Sequence, residues 1–152
     1  MNAVVFIDSA VISFVTDNLV PVRVMANDPI LSKQFTIKWT PSLLILDSKG
    51  IEHYRTLGFY PPQDLIPSLL FGMGKVFFNR ANRPAAINCF NRIIADFPIN
   101  SITPEAVYMH GVSNYIQTHE VSHLIEIYNR LEKEYPDSPW RTRADPYRLL
   151  KT

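Results

Sequence analysis

The sequence carries a single cysteine, Cys89, and one cysteine makes neither an internal disulfide nor a Cys-x-x-Cys redox pair. It has no surplus of one charge sign. A formal net charge of +1 gives no electrostatic case for nucleic acid or an anionic membrane as partner. It has no long apolar run either, and none approaches the ~20 residues that span a bilayer. The stretch Met1 to Asp8 lacks the basic segment and small-residue cleavage site of a secretory signal, so the expected compartment is the cytoplasm. What is present is a globular balance, 47% hydrophobic against 19% charged over 152 residues, with room for one ordinary domain or two small ones. Cys89 falls at an apolar position of a helical pattern, which implies a buried small hydrophobe.

The hydrophobic period changes several times before residue 70. Ser9 to Val15 reads as a short helix capped by Ser9, with Val11, Ile12, Phe14 and Val15 as its stripe. Leu19 to Met25 is apolar and β-branched, which predicts a strand. Asp28 is placed to cap a helix with Pro29 at its first position and Leu31 and Phe35 on its face. Ser42 to Asp47 is almost continuously apolar, as in a strand buried on both faces. Ser48-Lys49-Gly50 makes a tight turn, and Glu52 to Gly58 alternates as the hairpin partner. From Pro62 a helix is predicted to run on towards Phe77, with Pro67 in its first turns, where a missing amide donor is tolerated.

This order resembles the thioredoxin fold. The residues that carry the resemblance are Val20-Pro21-Val22, the run from Phe35 through Trp39-Thr40-Pro41 to Asp47, Gly50, and Gly58-Phe59-Tyr60-Pro61-Pro62. The resemblance implies a cis proline at Pro41 and a loop, Trp39-Thr40-Pro41, that offers backbone groups to an extended peptide by strand addition. A packed aromatic covering the strand ends is the alternative role for Trp39. The redox cysteines of that family are absent. Members most like this chain carry a Met soon after the second cysteine, followed by a stretch like Ala3-Val4-Val5-Phe6, so Met1 is expected just past the motif. The first strand and the central strand would then be absent too. The remaining strands would close up as a three-stranded antiparallel sheet, or a second copy would fill the gap as a homodimer through exposed strand edges.

Beyond residue 70 the pattern repeats. With Pro98 at the terminal proline of a unit of about 34 residues, Leu70, Met73, Gly74, Phe77, Ala86, Phe90 and Ile93 fall on the positions of a tetratricopeptide (TPR) repeat, which this half resembles. A second unit opens at Pro104 and Glu105, with Tyr108, Gly111 and Tyr115 on its first helix and Leu124, Tyr128 and Leu131 on its second. The endings Phe97-Pro98 and Tyr135-Pro136 lie 38 residues apart, which predicts a few extra residues near Gln117 and Thr118. Pro139 to Leu150 is read as a capping helix. The resemblance implies that extended peptides or proteins bind the face made by the first helices.

His119-Glu120-Val121-Ser122-His123 spells His-Glu-x-x-His, the pattern in which two histidines on one helix face hold Zn²⁺ and the glutamate activates its water. Placed on a helix whose apolar stripe is Leu124, Tyr128 and Leu131, His123 points roughly 110° and His119 roughly 150° from the stripe centre at ~100° per residue. Both would face the rim or solvent, and no third ligand is apparent on that helix. His53 and His110 stand alone and read as strand-face and helix-face residues.

The expectation is therefore an incomplete thioredoxin-like α/β unit over residues 1–70 and an all-α TPR-like hairpin array over residues 71–152. Its function would be a non-catalytic scaffold for a protein or peptide partner, with no cofactor, no nucleic acid and no membrane. Two alternatives stand beside it: a thiol-disulfide oxidoreductase with its Cys-x-x-Cys upstream of Met1, and a zinc metallohydrolase using His119 and His123.

Overall fold

The computed structural model describes residues 8–151. The chain divides into two compact units, Met1–Ile66 and Pro67–Thr152. The described part of the first is mixed, with helices and a small antiparallel sheet, and the second is helical. The stretch Ala3 to Phe6 lies outside the described residues.

In the first unit α1 spans Ser9–Asn18 and α2 spans Pro29–Gln34. Asp8, not Ser9, caps α1. Asp8 sits in the extended region, and its carboxylate accepts from the Ala10 and Val11 amides at 3.0 and 3.1 Å, while Ser9 is already inside the helix. Val11 and Phe14 are the buried side of the stripe. Asp28 caps α2 as expected, accepting from Ile30 and Leu31 behind Pro29.

The strand expected over Leu19 to Met25 does not form. Val20 is 90% and Val22 79% exposed, and among the described residues only two strands pair. β-branched residues favour a strand because they pack on a pleated, half-buried surface, and here there is no such surface. Pro21 also removes one ladder donor from the middle of the run. The three-stranded closure fails for the same reason.

The two strands are β1 (Ser42–Leu46) and β2 (Glu52–Leu57), antiparallel, with Ser42 opposite Leu57 and a register irregularity between Ile45 and Leu46. β1 is not buried on both faces: only Ile45 is buried, and Leu46 is exposed. The turn between the strands is tied by Asp47, whose carboxylate accepts from the Lys49 and Ile51 amides, and Gly50 takes the positive φ of 76° that the turn needs. Arg55 on β2 reaches back to the end of α2. It donates to the Phe35 carbonyl at 2.5 Å and to the Thr36 carbonyl at 3.3 Å while pairing with Glu52. The Thr40–Pro41 peptide bond, immediately before β1, is cis.

Helix α3 (Pro62–Asn79) begins in the first unit and continues into the second. There follow α4 (Arg83–Asp96), α5 (Thr103–Thr118), α6 (Ser122–Glu134), α7 (Pro139–Ala144) and a 3-10 helix, Asp145–Leu149. The capping segment is thus two short helices rather than one.

Two helix pairs result, each closed on a glycine. A Cβ on Gly74 of α3 would stand 2.6 Å from Phe90 Cε1 of α4, and a Cβ on Gly111 of α5 would meet Ile127 Cγ1 of α6 more closely still. Only glycine allows approaches this close. Both glycines precede their partner by 16 positions (74 to 90, 111 to 127) and lie 37 positions apart. The spacing inside the two pairs is therefore identical, and nothing is inserted near Gln117 and Thr118. The excess over a repeat of about 34 falls in the connection 97–102 between α4 and α5, where the Thr103 hydroxyl donates to the Phe97 carbonyl at 2.5 Å. The stripe expected on α6 is displaced as well. Ile127 and Leu131 are buried, while Leu124 and Tyr128 are only partly so.

Tyr135 closes the second pair onto the end of the first by donating its hydroxyl to the Pro98 carbonyl at 2.7 Å. Tyr108 of α5 packs at a tilt against Trp140 of α7, with ring centres 5.2 Å apart, and stacks on Tyr147 of the 3-10 helix, with which it shares a 2.8 Å hydroxyl contact. Among the described residues no helix is long and apolar enough to cross a membrane.

Candidate functional site

The second helix pair holds an arrangement that the sequence reading passed over. In the first pair the repeat-pattern positions around the Gly74–Phe90 contact are Leu70, Met73, Phe77, Ala86, Phe90 and Ile93. Shifted by 37, the same positions in the second pair are Val107, His110, Asn114, His123, Ile127 and Arg130. Four apolar positions have become two imidazoles, a carboxamide and a guanidinium. These residues, with Gly111 and Glu126, line a small cleft of about 20 Å³ between α5 and α6. Asn114 donates to the His110 carbonyl at 3.0 Å, and the same amide nitrogen lies 3.4 Å from each ring nitrogen of His110. Burial pushes the His110 pKa down. The Arg130 and His123 charges push the same way, against the opposing pull of Glu126. His123 also stands 3.7 Å from Glu120, and Arg130 forks onto Glu134 at 3.0 Å.

This arrangement overturns the expected placement of His119 to His123. The five residues do not lie along one helix. His119 ends α5 in the left-handed conformation at φ 61°, and α6 starts only at Ser122, so the helical spacing that puts two such histidines on one face is absent. His119 is exposed and packs edge-on to Tyr115, whereas His123 turns into the seam instead of towards the rim. The reason is the displaced stripe: with Ile127 against Gly111, His123, one turn earlier, shares that face. Among the described residues no three His, Cys, Asp or Glu side chains converge in a way that could hold a metal ion.

The loop singled out in the first unit borders an open depression of about 340 Å³ lined by Ala26, Ile37, Lys38, Trp39 and Thr40. Trp39 is 67% exposed, so it is not a packed cover over the strand ends. Its carbonyl accepts from the Ser42 hydroxyl and the Pro41 carbonyl accepts from the Gly58 amide. The loop therefore presents chiefly the indole face and the Lys38 stem.

A third grouping lies on the α3, α5 and α7 side of the second unit. Glu105 is half-buried, which raises its pKa, while Lys75 on α3 and Arg143 on α7 are near enough to stabilise its charge. Lys75 and Arg143 thus act electrostatically on the Glu105 carboxylate from two other helices. Elsewhere, Cys89 is buried and its thiol pKa is raised by burial, which makes it unreactive. His53 stands 3.2 Å from Asp47 beneath the hairpin turn.

No family model matches the chain, and neither a curated protein nor a solved structure does.

His110, Asn114, His123 and Arg130 were legible in principle as seam residues. Aligning the second pair on the first by its glycine, rather than by the Phe/Tyr-Pro endings, places polar residues on seam positions.

Proposed function

We propose that the protein is a non-catalytic scaffold for a protein or peptide partner. In this reading a thioredoxin-like unit without its redox cysteines precedes two TPR-like helix pairs. The observation that carries it is the repeated contact of a glycine with a large side chain 16 positions later, Gly74 with Phe90 and Gly111 with Ile127. Stacked helix pairs of this kind leave their first helices side by side, and an extended peptide fits against such a face. Lys75 and Glu105 on the first helices, with Arg143 of α7 in electrostatic reach of Glu105, supply charges that can pair with backbone ends and side chains of a peptide. The cis bond before β1 and the exposed Trp39 fit the thioredoxin-like reading of the first unit and give a second surface for an extended chain. The helix end between His119 and His123 separates the two histidines of the His-Glu-x-x-His pattern, which supports the scaffold reading over a zinc hydrolase.

The test is to pan a phage-displayed random peptide library on the full chain and measure enriched peptides by fluorescence anisotropy. Lys75→Glu with Arg143→Glu, or Trp39→Ala, should weaken binding about tenfold or more, or ~1.4 kcal/mol. If no peptide is enriched, or binding ignores all three substitutions, the scaffold reading fails.

A further inference from the structure

We propose that the α5–α6 seam is an acid-operated latch: a proton taken up at His110 loosens α6 from α5, while the α3–α4 pair stays closed. The proposal does not depend on the scaffold reading. It starts from the cleft, whose volume of about 20 Å³ is the space of one water molecule, too little for a small-molecule ligand or a hydrated counter-ion. The cleft is open at its rim and His110 is part-buried, so a charge appearing there is met chiefly by the groups that line the cleft.

Those groups oppose it. The charged or titratable groups acting on His110 are Arg130, Glu126 and His123, all from α6. Two are cationic when charged, and only Glu126 attracts. Other nearby carboxylates are engaged elsewhere, Glu120 with His123 and Glu134 with Arg130. Asn114 presents its amide nitrogen, a donor, to the ring, and that offers nothing to an imidazolium. The first pair has no counterpart, since Met73 stands where His110 does and Phe77, Ala86 and Ile93 complete its seam.

The sign follows from linkage. His110 is held below its ordinary value of 6.5, so the folded chain resists a proton that the unfolded chain accepts. The seam is at full strength above pH 6.5 and weakens as pH falls through that value to the lowered one. Opening would expose Val107 and Ile127, both buried in the closed pair.

Hydrogen exchange on the full chain tests this, read separately over residues 70–93 and 107–130 and corrected for the intrinsic pH dependence of exchange. Between about pH 7.5 and about pH 5, α6 amides should lose protection about tenfold or more while α4 amides hold theirs. His110→Met, which installs the first pair's residue, should remove the difference, and His110→Gln should do the same if the methionine variant folds poorly. Loss of protection in parallel in α4 and α6 overturns the proposal in the wild-type chain alone. So does an acid loss in α6 that survives in whichever of the two variants folds.

Discussion

The two helix pairs of the second unit share one geometry and differ in what fills it. In α3–α4, Phe90 packs under Gly74 and stands 5.5 Å, ring to ring, from Phe71, with Leu70, Ala86 and Ile93 fully buried around it. In α5–α6, Ile127 occupies the same place under Gly111, but the flanking seam positions hold His110, Asn114, His123 and Arg130. The same 16-residue spacing with opposite chemistry places a large side chain under a glycine in both pairs, where only glycine allows so close an approach. The flanking residues set how strongly, and under which conditions, the helices stay together. An apolar seam gains from burial at any pH. A polar seam must keep each group hydrogen-bonded or neutral, and its strength follows proton concentration.

Truncation should separate the pairs most sharply. Phe90→Ala leaves a large hole among side chains that water cannot solvate, and the expected loss is ~3–5 kcal/mol. Ile127→Ala removes a smaller side chain beside polar groups that can take up water, so its loss should fall near the low end of ~2–5 kcal/mol. Urea unfolding of the full chain measures both. A loss for Ile127→Ala equal to or above that of Phe90→Ala would mean the second seam is packed as tightly as the first.

Adding a methyl to each glycine should reverse the ranking. Alanine at position 74 meets the Phe90 ring first, at 2.6 Å, whereas alanine at position 111 meets Ile127 more closely and also the His123 backbone carbonyl at 3.1 Å. A backbone atom cannot swing aside. Overpacking costs ~1–3 kcal/mol, and the gain in helix propensity from Gly to Ala returns about 1 kcal/mol. Gly74→Ala should thus be mildly destabilising and Gly111→Ala clearly so. Equal melting temperatures for the two variants would refute the role given to the His123 carbonyl.

How much of this was readable beforehand differs between the units for physical reasons. The second unit's helices follow from period and caps, and Gly74, Ala86 and Phe90 mark the first pair without help. The α6 stripe was misplaced because Leu124, Tyr128 and Leu131 have helical spacing of their own, so period alone does not choose between that face and the one centred on Ile127. Only the constraint from Gly111 chooses, and that contact lies in space rather than along the chain. The misplacement carried His123 to the wrong face, and His110 then looked solitary. In the first unit, Asp28 with Pro29 and the turn at Gly50 are local devices and were legible. The run Leu19 to Met25 was not, because a strand depends on a partner its own residues cannot supply.

The β1–β2 turn provides a pH-dependent feature of opposite kind to the His110 seam. Burial works against the charged Asp47 carboxylate, but hydrogen bonds from the Ile51 amide, the His53 ring and the Lys49 amide outweigh it and hold its pKa at about 2, below the ordinary 3.8. A depressed carboxylate contributes stability above its unfolded pKa and loses it as pH falls from about 3.8 through about 2. Asp47→Asn should remove that acid-side loss and weaken the hairpin at neutral pH. The dependence that begins near pH 6.5 should be untouched. A pH titration of stability in this variant should therefore keep the upper step and lose the lower one. If both steps vanish together, the two features are not separate.

The smallest effect is expected at Arg130, whose ion pair lies within α6 rather than across the seam. Arg130 forks onto Glu134 at 3.0 Å, but both side chains are about a third exposed, at 33% and 38%. Exposed pairs spaced four apart on a helix contribute ~0.3–0.5 kcal/mol. Removing the guanidinium also relieves one of the charges that holds the His110 pKa down. Arg130→Ala should therefore cost no more than about 0.5 kcal/mol at neutral pH, and His110 in the variant should titrate at a higher pH than in the parent chain. Histidine ring resonances followed by NMR across the titration read the second effect directly. An unchanged His110 midpoint would mean that Arg130 does not sense the seam proton, and the contrast with the first pair would then rest on burial and the charges of Glu126 and His123.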